Sequence, residues 1–148
     1  MKRARRGRQG FILVLRASFE VTGYYLARTV QADFAAVVTR VVDALGKEGF
    51  GVLTDIDIAA TMKAKLGVEF RAYRILGACN PFMAHKALSI EDKIGVMLPC
   101  NVIVQQAGEY VEVAAVDPAA SIGRVGNPAL EEAAAAVRAA LLRVVETF

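Results

Sequence analysis

Two short stretches hold all the thiol chemistry of this chain: LGACNP at residues 76–81 and LPCNVIV at residues 98–104. Each sets a cysteine directly before an asparagine, as Cys79-Asn80 and Cys100-Asn101, and the only histidine, His85, follows the first pair closely. A cysteine can serve as nucleophile, redox partner or soft-metal ligand, and in each role the thiolate is the active form. Asn80 is a favoured helix N-cap and Pro81 suits the first helical position. Cys79 therefore stands at a helix start, where free backbone N–H groups and the positive end of the helix dipole stabilise an anion. That makes Cys79 the more acidic thiol of the pair. Cys100 opens a later strand, just after Pro99. If the strand ending near Cys79 and the strand opening at Cys100 are antiparallel neighbours, both sulfurs come to one rim of a sheet. Their Cα atoms would then lie within or slightly beyond disulfide range, about 7 Å.

Several chemistries stay open for this rim. The thiols could form a redox or nucleophilic site. Cys79, Cys100 and His85 could hold a soft metal, with water or a carboxylate as fourth ligand, although their spacing is not that of a zinc finger. Cysteine is also a common small buried residue, and packing alone accounts for both. Asn80 and Asn101 could cap and bond nearby backbone, or offer polar contacts to a small ligand. Tyr73 and Arg71 share a strand face and could flank an anionic ligand. Arg124 could do the same before the last helix, since a helix start attracts anions. Asp55 and Asp57, also on one strand face, could bind a hard cation or divide acid and base roles, and a solvated strand face explains them as well. The chain contains no P-loop, G-x-G-x-x-G, G-x-S-x-G, C-x-x-C or H-E-x-x-H motif, which argues against the nucleotide-binding and hydrolase classes that those motifs serve.

The elements that position these residues follow from periodicity and punctuation. Residues 24–30 (YYLARTV) read as a strand. Asp33 caps a helix whose apolar positions Phe34, Val37, Val38, Val41 and Leu45 recur at helical spacing until Gly46 and Gly49. A second strand covers 50–58, with Phe50, Val52, Thr54, Ile56 and Ile58 on one side, and a short helix runs to Leu66. A third strand is expected at 68–76, then a helix from Pro81 to Leu88. Ser89 and Asp92 have the spacing of a capping box for a further turn. Residues 100–106 and 109–116 form a hairpin around Ala107-Gly108, and Asp117-Pro118 ends the pairing. Asn127 caps and Pro128 starts a final helix to about Thr147, with Leu130, Ala134, Val137, Leu141, Val144 and Phe148 in one stripe. The order is strand, helix, four strands with short helical insertions, then a long helix. It predicts an α+β domain: a curved, mostly antiparallel sheet with the C-terminal helix packed on it.

Composition bounds the rest. The chain has 148 residues, 55% of them hydrophobic and 22% charged, which suits one globular domain. The net charge of +3 is unevenly spread: residues 1–20 hold six basic groups and one acid, whereas the remainder holds 12 basic and 14 acidic groups. The reading is a basic extension over 1–20 and a mildly acidic domain over 21–148. The extension could be a disordered or over-extended start, a strand along the domain edge, or a membrane-surface or nucleic-acid contact. The acidic body gives no footprint for nucleic acid. No apolar run is long enough to span a membrane. Two cysteines make no disulfide framework, and the composition favours a reduced, cytoplasmic protein.

Residues 76–104 also resemble a known family. The series Gly77-Ala78-Cys79-Asn80-Pro81, Ala84-His85, Ala87-Leu88, Gly95 and Leu98-Pro99-Cys100-Asn101-Val102 is similar to the DUF302 family of uncharacterised bacterial and archaeal domains, from about Tyr24 to the final helix. The resemblance implies a strand–helix–four strands–helix fold like that of the TATA-box-binding protein. It implies no established activity and names no cofactor. The expected function is small-ligand binding or thiol sensing in a pocket between sheet and helices near Cys79, Asn80, Cys100 and Asn101, with homodimerisation by a sheet edge or helix face. A cysteine-dependent enzyme and a metal carrier are the alternatives.

Overall fold

The structure, a computed structural model, describes residues 18–148. The thiol-bearing strands sit inside a six-stranded sheet, all of whose neighbours are antiparallel: β1 (Phe19–Val21), β2 (Tyr25–Val30), β3 (Gly51–Asp57), β4 (Tyr73–Cys79), β5 (Cys100–Ala107) and β6 (Tyr110–Val116). Their spatial order is β1-β2-β6-β5-β4-β3. Four α-helices accompany the sheet among the described residues: α1 (Phe34–Lys47), α2 (Ile58–Leu66), α3 (Pro81–Ile90) and α4 (Glu131–Thr147). The α+β class and the long C-terminal helix on the sheet are as the sequence predicts. The one added strand, β1, extends the sheet beyond β2. Its Phe19 and Glu20 belong to the expected basic extension, and the rest of that extension up to residue 17 lies outside the described residues.

The core lies between the sheet and α1 with α4. Alternate residues Leu76, Ala78, Cys100, Val102, Val104, Val111 and Val113 turn to the helices, where they meet Val37, Val41, Leu45, Leu141 and Val144, all almost wholly buried. Burying apolar surface on this scale is the main force holding the layers together. Asp33 starts α1 as expected, its carboxylate accepting from the Ala36 backbone N–H at 3.0 Å. A second, smaller cluster joins α3 to α4 through Ala87, Ile94, Ile122, Leu130 and Ala134.

Three local expectations change. The strand read at 68–76 forms at 73–79 instead. β3 stops at Asp57, which pairs with Arg74, and Asp57 then caps α2 by accepting from Ala60 N–H, so residues before 73 have no β3 partner. In β3 the register shifts between Val52 and Thr54. This bulge at Leu53 splits the single apolar side read for 50–58: Val52 lies opposite core residue Ala78, whereas Thr54 and Ile56 lie opposite Gly77 and Ile75 on the other face. The capping box at Ser89 does not form. Ser89 stays inside α3, donating to the His85 carbonyl at 2.7 Å, and a 3₁₀ turn over Asp92–Met97 follows. Asn127 caps a 3₁₀ turn (Pro128–Leu130) that leads into α4.

Candidate functional site

The Cys-Asn motifs are best understood from the ladder between β4 and β5. Cys100 lies directly opposite Ala78, and Asn101 lies opposite Gly77. Cys79 is one step beyond Ala78, so the two thiols share a rim of the sheet as diagonal rather than facing neighbours. Both are free. Alternation along the pleat puts Cys100 with Ala78 on the helix face, where it is 5% exposed. Burial pushes its thiol up to about 11, and the neighbouring Cys79 adds to the shift. Cys79 is half-buried.

Other members of the motif have packing and capping roles. Asn80 Oδ1 accepts from Met83 N–H at 3.3 Å and Pro81 opens α3. Gly77 is required by close approach: a Cβ there would collide with Thr54 Oγ1 and lie 2.8 Å from Pro99 Cγ. The pocket expected between sheet and helices is present in outline only. Cys79, Asn80, Met83, Leu98 and Cys100 border a cavity of about 20 Å³, which is room for one water and not for an organic ligand. His85 is exposed on α3 and Arg124 is exposed in the turn before α4. Among the described residues no three His, Cys, Asp or Glu side chains group to hold a metal ion. Asp55 is likewise committed: both its oxygens accept from Arg74, at 2.7 Å from Nε. That hydrogen bond, opposed by burial, holds the Asp55 carboxyl below its ordinary value.

A larger space lies on the face of the sheet opposite α1 and α4. There the strands stack their other residues in rows across the sheet. One row runs Thr29, Glu112, Gln105, Tyr73; the next runs Ala27, Ala114, Ile103, Ile75, Ile56. The paired alanines of the second row keep the floor low, while tyrosines stand at the margins. The result is a hollow of about 370 Å³ lined by Tyr24, Tyr25, Tyr73, Asn101, Ile103, Gln105, Glu112 and Ala114, with Ala115 and Val116 at its end. Two of the residues singled out in the sequence, Tyr73 and Asn101, meet here, away from Cys79, Asn80, Cys100 and Arg124.

The polar groups of the hollow are ordered by one another. Gln105 Nε2 donates to Glu112 Oε1 at 2.8 Å, and Gln105 Oε1 accepts from Arg71 Nε at 2.9 Å. The Arg71 guanidinium lies 4.5 Å from the Phe70 ring centroid and 5.5 Å from that of Tyr73. At the other margin Tyr24 and Tyr25 meet edge to face at 4.8 Å. Tyr25 Oη donates to Glu20 Oε1 at 3.0 Å, and this bond raises the phenol above its ordinary pKa. Sequence reasoning passed over Tyr25, Gln105, Glu112 and the alanine floor. The signal was the alternation Asn101, Ile103, Gln105 and Glu112, Ala114, Val116: each is the off-core series of a strand whose other series is buried.

Among the described residues no helix is long and apolar enough to cross a membrane. No curated protein is significantly similar to this chain. A crystal structure described as that of an uncharacterized conserved protein DUF302 from Bacillus stearothermophilus is similar, with a TM-score of 0.77 and 28% sequence identity, covering 82% of this chain and 95% of that one. Residues 26–148, from β2 to the end of the chain and so including both Cys-Asn motifs and the hollow's β4–β6 wall, match the family described as Domain of unknown function DUF302, and the chain belongs to that family.

Proposed function

We propose that this domain binds a small molecule in the hollow on the open face of its sheet. The observation that carries the reading is the hollow itself, about 370 Å³ with an apolar floor and a few ordered polar groups. That combination of size and lining is what small-molecule sites have in common. Tyr73 and Asn101 are the ligand contacts retained from the sequence, with Gln105 and Glu112 added. The thiol-sensing alternative gains no support from Cys100, which is buried among aliphatic groups and held neutral. Titration of ¹⁵N-labelled protein with a fragment library tests the reading. Binding fragments are expected to shift the amides of Tyr73, Asn101, Gln105 and Glu112, and Ala114→Leu, which fills the floor, is expected to abolish those shifts. Shifts confined to residues 79–87, or Ala114→Leu binding as the parent does, would contradict it.

Self-association is a second reading, favoured by the flank at β3 and α2. Leu53 and Leu66 are each 68% exposed there, with Ile56, Val68 and Phe70 also exposed, and α2 has no buried residue. We infer a second copy as the occupant of this flank. Lys63 pairs with Glu69 here, while Lys65 lies in the last turn of α2 and Asp57 at its N-cap, and a surface bearing both charge signs can face itself across a twofold axis.

A further inference from the structure

The charge and lining of the open-face hollow indicate what class of molecule it takes. Of the residues that line it, only Glu112 carries a formal charge. One of its oxygens accepts from Gln105; among the described residues no donor reaches the other and no ion pair involves Glu112. A carboxylate beside an apolar floor with no cation of its own is a poor resting arrangement, because partial desolvation is not repaid by a counter-charge. Tyr24, Tyr25 and Tyr73 set aromatic rings around the same space. Ring faces attract cations through their quadrupole, and a desolvated cation gains more than an exposed one. Glu20, bonded to Tyr25 Oη, adds a second negative group at that margin. Arg71, which reaches the hollow's edge through Gln105, lies outside its lining. Its Nε is spent on Gln105 and its plane on Phe70 and Tyr73.

We propose that the hollow takes a small organic cation, an ammonium group carried on an apolar or aromatic body, with Glu112 as counter-ion and the tyrosines as walls. This rests on the reading of the hollow as a ligand site. The Gln105 amide holds Glu112 in place and is itself oriented by Arg71, so the chain Arg71–Gln105–Glu112 positions the carboxylate. The apolar floor of Ile103 and Ala114 receives the body of the ligand.

Three probes that share one body and differ in charge test this: phenethylammonium, 2-phenylethanol and 3-phenylpropionate, each titrated against the ¹⁵N-labelled full chain. The ammonium is expected to bind about tenfold more tightly than the alcohol, with the carboxylate weakest, and all shifts centred on Tyr73, Gln105 and Glu112. Glu112→Gln is expected to erase the preference for the ammonium over the alcohol. Equal affinities, a preference for the carboxylate, or an ammonium preference that survives in Glu112→Gln would each overturn the cation assignment while leaving the hollow as a ligand site. If none of the probes moves the hollow's amides at millimolar concentration, the assignment fails together with the site reading beneath it. The comparison among probes uses the unaltered protein, so it holds even if Glu112→Gln fails to fold.

Discussion

Cys100 is a thiol whose surroundings oppose ionisation. It faces Ala78 across the ladder on the side packed by α1 and α4. Desolvation, with a smaller contribution from Cys79, lifts it from 9.0 to about 11. The raised value has a definite consequence for stability. A group that is harder to deprotonate in the folded chain contributes stability that is complete below its unfolded value and is lost as pH rises through the folded one. The parent should therefore lose on the order of 2 kcal/mol between pH 9 and pH 11 that Cys100→Ala does not lose, a difference readable from urea midpoints at the two pH values. Equal pH slopes in the two proteins would contradict the assignment. Iodoacetamide under native conditions should label half-buried Cys79 well ahead of Cys100. At the same scale Asn80 and Asn101, alike in sequence, divide. Asn80 caps α3, whereas Asn101 stands on the open face beside the hollow.

The elements are tied to one another by fewer polar contacts than apolar ones, and the contacts differ in weight. Asp117, 6% exposed at the end of β6, accepts from Arg138 Nε of α4 at 3.2 Å and from Ala119 N–H at 3.0 Å. Removing the guanidinium strands a buried carboxylate. Arg138→Ala is expected to cost about 1–3 kcal/mol, below the range for a fully buried pair, because the Arg138 side chain is 36% exposed. Arg143→Ala, which breaks the solvent-exposed pair with Glu48, should leave the midpoint nearly unmoved. Chemical denaturation of the two variants checks the ranking. The elements also show what the sequence could carry. α1, β2, β5, β6 and α4 were legible because each has a strong local period and a cap or turn residue at its ends. The start of β4 was not, because it depends on where β3 stops, and the bulge at Leu53 was not, because alternation read along one strand cannot show a register set by its partner. The hollow was illegible for the same reason. Its residues come from Tyr24 and from β2, β4, β5 and β6, and only the order β2-β6-β5-β4 sets Tyr25, Glu112, Gln105 and Tyr73 around one space. The Cys-Asn repeat, by contrast, was conspicuous in sequence and turns out to serve strand pairing, capping and core packing at most of its positions.

For the whole molecule, the unpaired side of β3 is the feature that bears on assembly. Among the described residues a sheet order ending in β3 leaves a seven-residue edge without a further partner, and edges of this kind invite strand addition. Two features oppose a simple continuation of the sheet into a second copy. The bulge at Leu53 interrupts the edge, and Asp55 and Asp57 place charge along it, both of which are common means of blunting an edge. Leu53 of β3 and Leu66 at the end of α2 are nevertheless each 68% exposed, and exposed apolar surface of this kind can mark an interaction site. The self-association proposed above would suit both features if side chains met across a twofold axis without backbone pairing. Sedimentation equilibrium should accordingly show a dimer that dissociates on dilution, and the double substitution Leu53→Lys with Leu66→Lys should leave a monomer. Because both side chains are 68% exposed in the single chain, the double variant should keep its far-ultraviolet circular dichroism and its urea midpoint extrapolated to low protein concentration. A parent protein that sediments as a monomer at every concentration would remove this flank as an interface. A dimer that persists in the double variant would move the interface elsewhere, with the short edge at β1 the next place to look.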